Sequence, residues 1–417
     1  MTETVRPGFR RGCIAVPPSK SVAHRMLISA ALSGHESEIR CGEISKDIRA
    51  TINCLSALGT VFSEQESGII KVAPASLETG SVRHMYCGES GSTLRFLLPV
   101  VTALGIPCVF HPEGRLSQRP LTELALQLDK NGAVIGKQGN LITCSGKLLS
   151  GNYTVPGNIS SQYISGLLFA LPLLDGDSRL YITGRTESSS YITLTEHTLS
   201  AAGIVFDKDD GGYRIPGRQH YDIPESSAVE GDWSNAAFFL CMGALSPEGI
   251  SVTGLDPDSA QGDRRILQIL EEFGAEVSVS ENTVSVKRKD TRPLTVDASE
   301  IPDLVPVLSV LMLGADGVSM IRNAQRLRMK ESDRLSTTAE LIVSLGGTAA
   351  ETGDGLIITG NGSLAGGMID AHNDHRIAMA AAVAASLCKK DITVRDAECT
   401  DKSYPLFWKD LNSLEVL

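Results

Sequence analysis

ILQILEEFGAEV, residues 266–277, runs an apolar helical stripe into a glycine and then a short β-like stretch. Glycine at such a point suits a left-handed helix C-cap, from which the chain turns straight into a strand. The same arrangement recurs in INCLSALGTVF (52–62), LALQLDKNGAVI (124–135), LTEHTLSAAGIVF (194–206) and AELIVSLGGTAA (339–350). The terminal glycines, Gly59, Gly132, Gly203, Gly274 and Gly346, repeat with a period of about 72 residues. PLFWKDLNSLEVL (405–417) falls where a shortened sixth unit belongs.

A second helix runs half a period out of phase, starting at Ser21, Gly91, Ser161, Trp233, Asp303 and Asp374. Long apolar runs follow, such as SGLLFALPLL and AAFFLCMGAL, and several close on a β-like stretch. Each unit therefore reads strand, helix, strand, helix, strand, strand. That order lacks the clean β-α alternation of a doubly wound sheet. The repeat also exceeds the roughly 20–50 residues usual for solenoids. The expectation is an α/β (α+β) chain of two similar domains, each with three βαβαββ repeats, inner apolar helices and outer sheets. Val16-Pro17-Pro18 and residues 224–231 have the turn composition of passages between domains.

A length of 417 residues suits two domains. The net charge of -11 disfavours nucleic acid as a partner, which wants a basic face. Nine cysteines without CxxC spacing fit reduced thiols in a cytoplasmic setting. The amino-terminal segment lacks the apolar run of a secretory signal. The apolar stretches 94–110 and 376–388 are too short or interrupted to span a bilayer, so no membrane is expected.

The chemistry-bearing side chains gather at the starts of the apolar helices. Helix starts offer unpaired N–H groups and partial positive charge, which suit phosphate and carboxylate. PPSKSVAHR brings Lys20, Ser21 and Arg25; CGESGSTLRF brings Gly91 and Arg95; GNISSQYISG brings Ser160, Ser161 and Gln162. HPEGRLSQRPL adds Arg115 and Arg119, and HNDHRIAM adds His375 and Arg376. RLRMKESDRL, taken alone, reads as a solvated helix of alternating charge. His372 and His375 have no third ligand at recognisable spacing, so no metal is expected. Gathered in one cleft, Lys20, Arg25, Arg119, Lys330, Arg334, Arg376 and Lys402 would focus field on a polyanion.

Together, PPSKSVAHR, SGSTLRF, QRPL, ISSQY, EGDWSNAAFFL, IPD, MKESDRL, NDHRIAMA and CTDKSYP resemble the 5-enolpyruvylshikimate-3-phosphate synthase family over nearly the whole chain. The resemblance implies the enolpyruvyl transferase fold, an inside-out α/β barrel in two halves. It implies a discontinuous domain of residues 1–17 and 231–417, a second of 18–230, and an active site in the cleft between them. The implied partners are phosphoenolpyruvate and shikimate 3-phosphate, with a monomer as the default and no cofactor. Lys20, Ser21, Arg25, Ser160, Ser161, Gln162, Ser188, Asp303 and Lys330 match positions holding shikimate 3-phosphate, with Tyr191 nearby. Lys20, Gly91, Arg119, Gln162, Arg334, Arg376 and Lys402 match the phosphoenolpyruvate site. Asp303 matches the base, while Lys20, Lys330, Glu331 and His375 complete the catalytic set.

Glu89, Ser92 and Arg326 depart from residues common in the family. Two other readings stand beside this one. Enolpyruvyl transfer to UDP-N-acetylglucosamine would carry a loop cysteine that residues 115–119 lack. A non-catalytic sensor of phosphorylated metabolites would not need Lys20, Asp303, Glu331, His375 and Lys402 together.

Overall fold

A computed structural model describes residues 1–74 and 81–417 as two units, Pro18–Val229 and Met1–Pro17 with Glu230–Leu417. The helices of the first unit are α1 (Lys20–Leu32), α2 (Lys46–Ala57), α3 (Gly91–Ala103), α4 (Thr122–Lys130), α5 (Ser161–Ala170) and α6 (Ser189–Ala201). Those of the second are α7 (Trp233–Leu245), α8 (Ile266–Phe273), α9 (Val305–Met312), α10 (Arg334–Ser344), α11 (His375–Ala384) and α12 (Phe407–Ser413).

The apolar runs become helices buried on nearly every side. α7 and α11 expose almost nothing, as expected of helices hydrophobic all round. The glycine-terminated helices bury one stripe. α8 buries Ile266, Ile269, Leu270 and Phe273 and leaves Glu271 and Glu272 outside. Its cap, Gly274, has φ +93, and a Cβ there would stand 1.8 Å from the Asp290 carbonyl oxygen. The four equivalent glycines also take positive φ, between +73 at Gly203 and +105 at Gly59.

Each unit carries sheets of one repeating design: a parallel pair joined through a buried helix, then antiparallel neighbours. Asn152–Pro156 pairs parallel with Ser178–Thr183 across α5, and Arg83–Gly88 with Cys108–Pro112 across α3. Thr295–Asp297 pairs likewise with Gly317–Arg322 across α9, and Gly367–Asp370 with Ile392–Arg395 across α11.

The two remaining repeats are completed by exchange along the chain. Arg10–Ala15 precedes α1 in sequence but pairs with Ile250–Thr253 beyond α7. Ser226–Ala228 precedes α7 but pairs with Ser37–Arg40 beyond α1. A separate core fills each unit, one built around Phe238, Phe239 and Phe407, the other around Phe96, Phe110 and Phe169.

Three helix starts depart from expectation: α1 begins at Lys20 rather than Ser21, α11 at His375 rather than Asp374, and α9 two residues after Asp303. Asp303 lies in a short 3-10 turn, Pro302–Leu304, and α9 begins at Val305. Pro302 fits the first residue of that turn, where a missing N–H costs nothing.

Candidate active site

In the unit that holds α7–α12, three helix starts converge on one carboxylate. Asp303 stands before α9. Its Oδ1 accepts from Arg334 Nη1 at 2.9 Å and lies 3.4 Å from Lys330 Nζ. Its Oδ2 accepts from Arg376 Nη2 at 2.9 Å, and its carbonyl oxygen accepts from Arg376 Nη1 at 3.2 Å. Burial alone would raise the Asp303 pKa, but Arg376, Lys330 and Arg334 together hold it well below the usual carboxylate range.

Arg334 opens α10 and is buried among carboxylates. Its Nε donates to Asp374 Oδ2 at 2.7 Å and its Nη2 to Glu331 Oε2 at 2.7 Å. Burial lowers its pKa, but Asp374, Glu331 and Asp303 more than offset that, so the guanidinium stays charged. Asp374 is fully buried and caps α11, accepting the Arg376 N–H at 3.1 Å and the Ser332 hydroxyl at 2.9 Å. Lys402, from the turn Ala397–Lys402, brings Nζ within 4.0 Å of Glu331 Oε1. His375 is buried at the first position of α11.

The solvated charged helix expected over residues 326–335 is therefore corrected. Gln325–Met329 is a 3-10 turn, and Arg334 is 1% exposed because two carboxylates from other segments, Asp303 and Asp374, join Glu331 in drawing it inward. Alternation of charge in the sequence does not reveal partners that lie far along the chain.

In the unit that holds α1–α6, Gly91 begins α3 where space is short. A Cβ there would stand 2.7 Å from Arg95 Nη1, 3.2 Å from Arg119 Nη1 and 3.4 Å from Gln162 Oε1. Arg95 donates to Gln162 Oε1 at 3.0 Å and to the Pro120 carbonyl at 2.9 Å, while Gln162 Nε2 donates to Ser92 at 3.0 Å. Ser160 caps α5, and Ser161 is buried behind it. Glu89 packs against the turn that precedes Arg119, with Oε1 2.2 Å from where a Gly114 side chain would begin.

Lys20 Nζ meets Asp47 Oδ2 at 2.9 Å. Arg25 is buried with its guanidinium 4.9 Å from the Phe96 ring. It donates to Thr195 Oγ1 and to the carbonyls of Ser21 and Tyr191, but no carboxylate among the described residues pairs with it. Burial pushes its pKa down to about 9, only partly opposed by Tyr191. A buried cation without a counter-charge favours an anionic ligand. Ser188 is buried at φ +54, just before α6.

Three contributors were not singled out from the sequence as site residues. Asp374 was visible only as a helix-cap residue, and Asp47 falls in an ordinary amphipathic helix. Asp263 is buried, accepts the Ser234 hydroxyl and has its pKa pushed up to about 7, by burial first and then by Asp303. A charged residue beside the glycine in QGD was the one available signal.

Among the described residues, no group of three or more His, Cys, Asp or Glu side chains is placed to hold a metal ion. His372 faces Glu340 at 3.1 Å, while His375 is buried. Among the described residues no helix is long and apolar enough to cross a membrane.

Residues 7–411 match the family model for EPSP synthase (3-phosphoshikimate 1-carboxyvinyltransferase). A 3-phosphoshikimate 1-carboxyvinyltransferase of Clostridium kluyveri is 42% identical, with 99% of this chain and 96% of that protein covered. One from Clostridium acetobutylicum is 41% identical, with 98% and 96% covered. Among solved structures, an EPSP synthase from Acinetobacter baumannii superposes with TM-score 0.82 at 23% identity, covering 100% of this chain and 99% of that one. The enolpyruvyl transferase NikO from Streptomyces tendae gives 0.78 at 18% identity, with 99% and 98% covered; these two likenesses speak to the fold. By its sequence matches over nearly full length, the chain belongs to the EPSP synthase (3-phosphoshikimate 1-carboxyvinyltransferase) family.

Proposed function

We propose that the chain transfers the enolpyruvyl group of phosphoenolpyruvate to the 5-hydroxyl of shikimate 3-phosphate and releases phosphate, a step of the shikimate pathway to chorismate. The observation that carries this reading is Asp303, a carboxylate held among Lys330, Arg334 and Arg376 at the meeting of three helix starts. The names of the curated relatives do not favour UDP-N-acetylglucosamine as the acceptor.

The reaction is an addition followed by an elimination. The 5-oxygen bonds to C2 of phosphoenolpyruvate, its proton passes to Asp303, and C3 gains a proton. The C2–phosphate bond then breaks, C3 loses a proton, and the double bond returns. In net terms one proton leaves the hydroxyl and one accompanies the released phosphate. Glu331 and His375 serve near C3, with Lys20 and Lys330 assisting proton movement. Fixed cations stabilise the charge that develops on the departing phosphate.

Asp303 is a weak base while three cations hold it. The phosphate and carboxylate of phosphoenolpyruvate compete for Arg334 and Arg376, and each cation drawn away raises the basicity of Asp303 toward the range a general base needs. Arg334, Arg376 and Lys402 hold phosphoenolpyruvate together with Lys20, Gly91, Arg119 and Gln162. Ser21, Arg25, Ser160, Ser161, Gln162 and Ser188 hold shikimate 3-phosphate together with Lys20, Asp303 and Lys330. The uncompensated Arg25 supports that assignment for an anionic ligand.

Phosphate release measured with both substrates, and with each alone, tests the reading. Release that needs both is expected; release indifferent to shikimate 3-phosphate, or none, rejects it. The protein is further taken to act as a cytoplasmic monomer, which sedimentation of the purified chain and fractionation of the source cell would check.

A further inference from the structure

Behind the start of α3 runs a chain of buried hydroxyls that the substrate assignments leave out. His24 Nδ1 lies 2.7 Å from Thr51 Oγ1, and Thr51 Oγ1 lies 2.6 Å from Thr93 Oγ1. Thr93 Oγ1 donates to Ser90 Oγ at 2.7 Å, and the Thr93 N–H reaches the same oxygen at 3.3 Å. All four residues are fully buried. Ser90 is the N-cap of α3, directly before Gly91.

The direction of this chain follows from counting protons. Thr93 has one hydroxyl proton and gives it to Ser90. Thr51 must then donate to Thr93, and its oxygen accepts from His24 Nδ1–H. His24 suits that role because burial pushes its pKa down to about 3, leaving a neutral ring. His24 Nε2 is buried without a hydrogen-bond partner among the described residues, so Nδ1 is the ring atom that joins the chain, and losing one hydroxyl leaves its neighbours unsatisfied.

The chain also ties α3 to Lys20. Lys20 and His24 are four residues apart on α1, and Asp47 and Thr51 are four apart on α2, so each pair shares one helix face. Lys20–Asp47 and His24–Thr51 form two rungs between the same helices. Thr51–Thr93 extends the second rung to α3.

We infer that His24, Thr51 and Thr93 are positioning residues that keep the Ser90–Gly91 helix start in register with Lys20 for the phosphoenolpyruvate anion. The inference rests on the functional reading above, because Gly91 and Lys20 are the groups it aligns. None of the three touches substrate. Their effect reaches the reaction through Ser90 and through the packing of α1 on α2.

Steady-state kinetics with both substrates tests it, using Thr93→Val, which keeps the shape of threonine and removes the hydroxyl. The KM for phosphoenolpyruvate should rise about tenfold while that for shikimate 3-phosphate stays within about threefold. Thr93→Ser restores the hydroxyl and should return the phosphoenolpyruvate KM to near the wild-type value. Equal rises in both KM values, no rise, or a failure of serine to rescue would overturn the inference. Should Thr93→Val not fold, Thr51→Val interrupts the chain one bond earlier and carries the same expectation. A wild-type protein that turns over nothing overturns the functional reading and this inference with it. A wild type that turns over beside an unaltered Thr93→Val overturns the inference alone.

Discussion

Arg376 grips Asp303 twice, from Nη2 to the carboxylate at 2.9 Å and from Nη1 to the backbone carbonyl at 3.2 Å. The double contact fixes the carboxylate and its turn as one body before α9. It also ties the proposed base to a proposed anion ligand, so each group sets the electrostatic state of the other.

Asp303→Asn should therefore separate chemistry from binding. Turnover is expected to fall about thousandfold, within the range for loss of a general base, with shikimate 3-phosphate affinity within about fivefold of wild type. Calorimetric titration alongside the phosphate-release assay checks both. Turnover close to wild type would remove Asp303 from the role of base.

Arg119→Ala should raise the KM for phosphoenolpyruvate far more than that for shikimate 3-phosphate, by about 30-fold against about threefold. Arg119 reaches toward Gly91 from the turn after Gln118, while Arg25 and Ser21 lie on α1. Parallel rises for both substrates would contradict the division of labour.

Asp374→Ala removes the buried partner of Arg334 and the cap of α11 at once. Leaving a buried guanidinium short of a carboxylate costs about 3–5 kcal/mol. Denaturant unfolding should show that loss, and Arg334→Ala placed on top should add less than its effect alone. Additive losses would mean the pair is not coupled.

Asp263 makes stability depend on pH in a defined direction. The folded carboxyl keeps its proton up to about pH 7, whereas its ordinary value is 3.8. Between those values the folded state binds more protons, so this group's contribution is complete below about pH 4 and is lost as pH rises through 7. Asp303, Arg376, Asp232 and the Ser234 hydroxyl face it. Asp263→Asn should melt higher than wild type at pH 8, and the advantage should shrink toward pH 4. An advantage equal at both values would contradict a titrating Asp263.

The repeats were legible because glycine is close to obligatory at a left-handed cap. Gly274, with Asp290 pressed against it, shows why one residue type recurs where the sequences around it vary. The helix starts were legible for a similar reason: Ser90, Ser160, Asp232 and Asp374 each cap a helix through a side-chain oxygen. What bound Arg334 was not legible, because Asp374 lies 40 residues on and joins it only through folding. The chain from His24 to Ser90 was hidden too. Threonine inside a helix reads as weak propensity, and nothing local says that two such hydroxyls meet 42 residues apart.

The strand Arg10–Ala15 lies between Ile250–Thr253 and Glu415–Val416 in its sheet. A ribosome therefore delivers this segment well before either of its neighbours. Pro18–Val229 can fold as a continuous stretch meanwhile, while the leading strand waits with its edges bare. That sheet closes only once both of its later strands have been made.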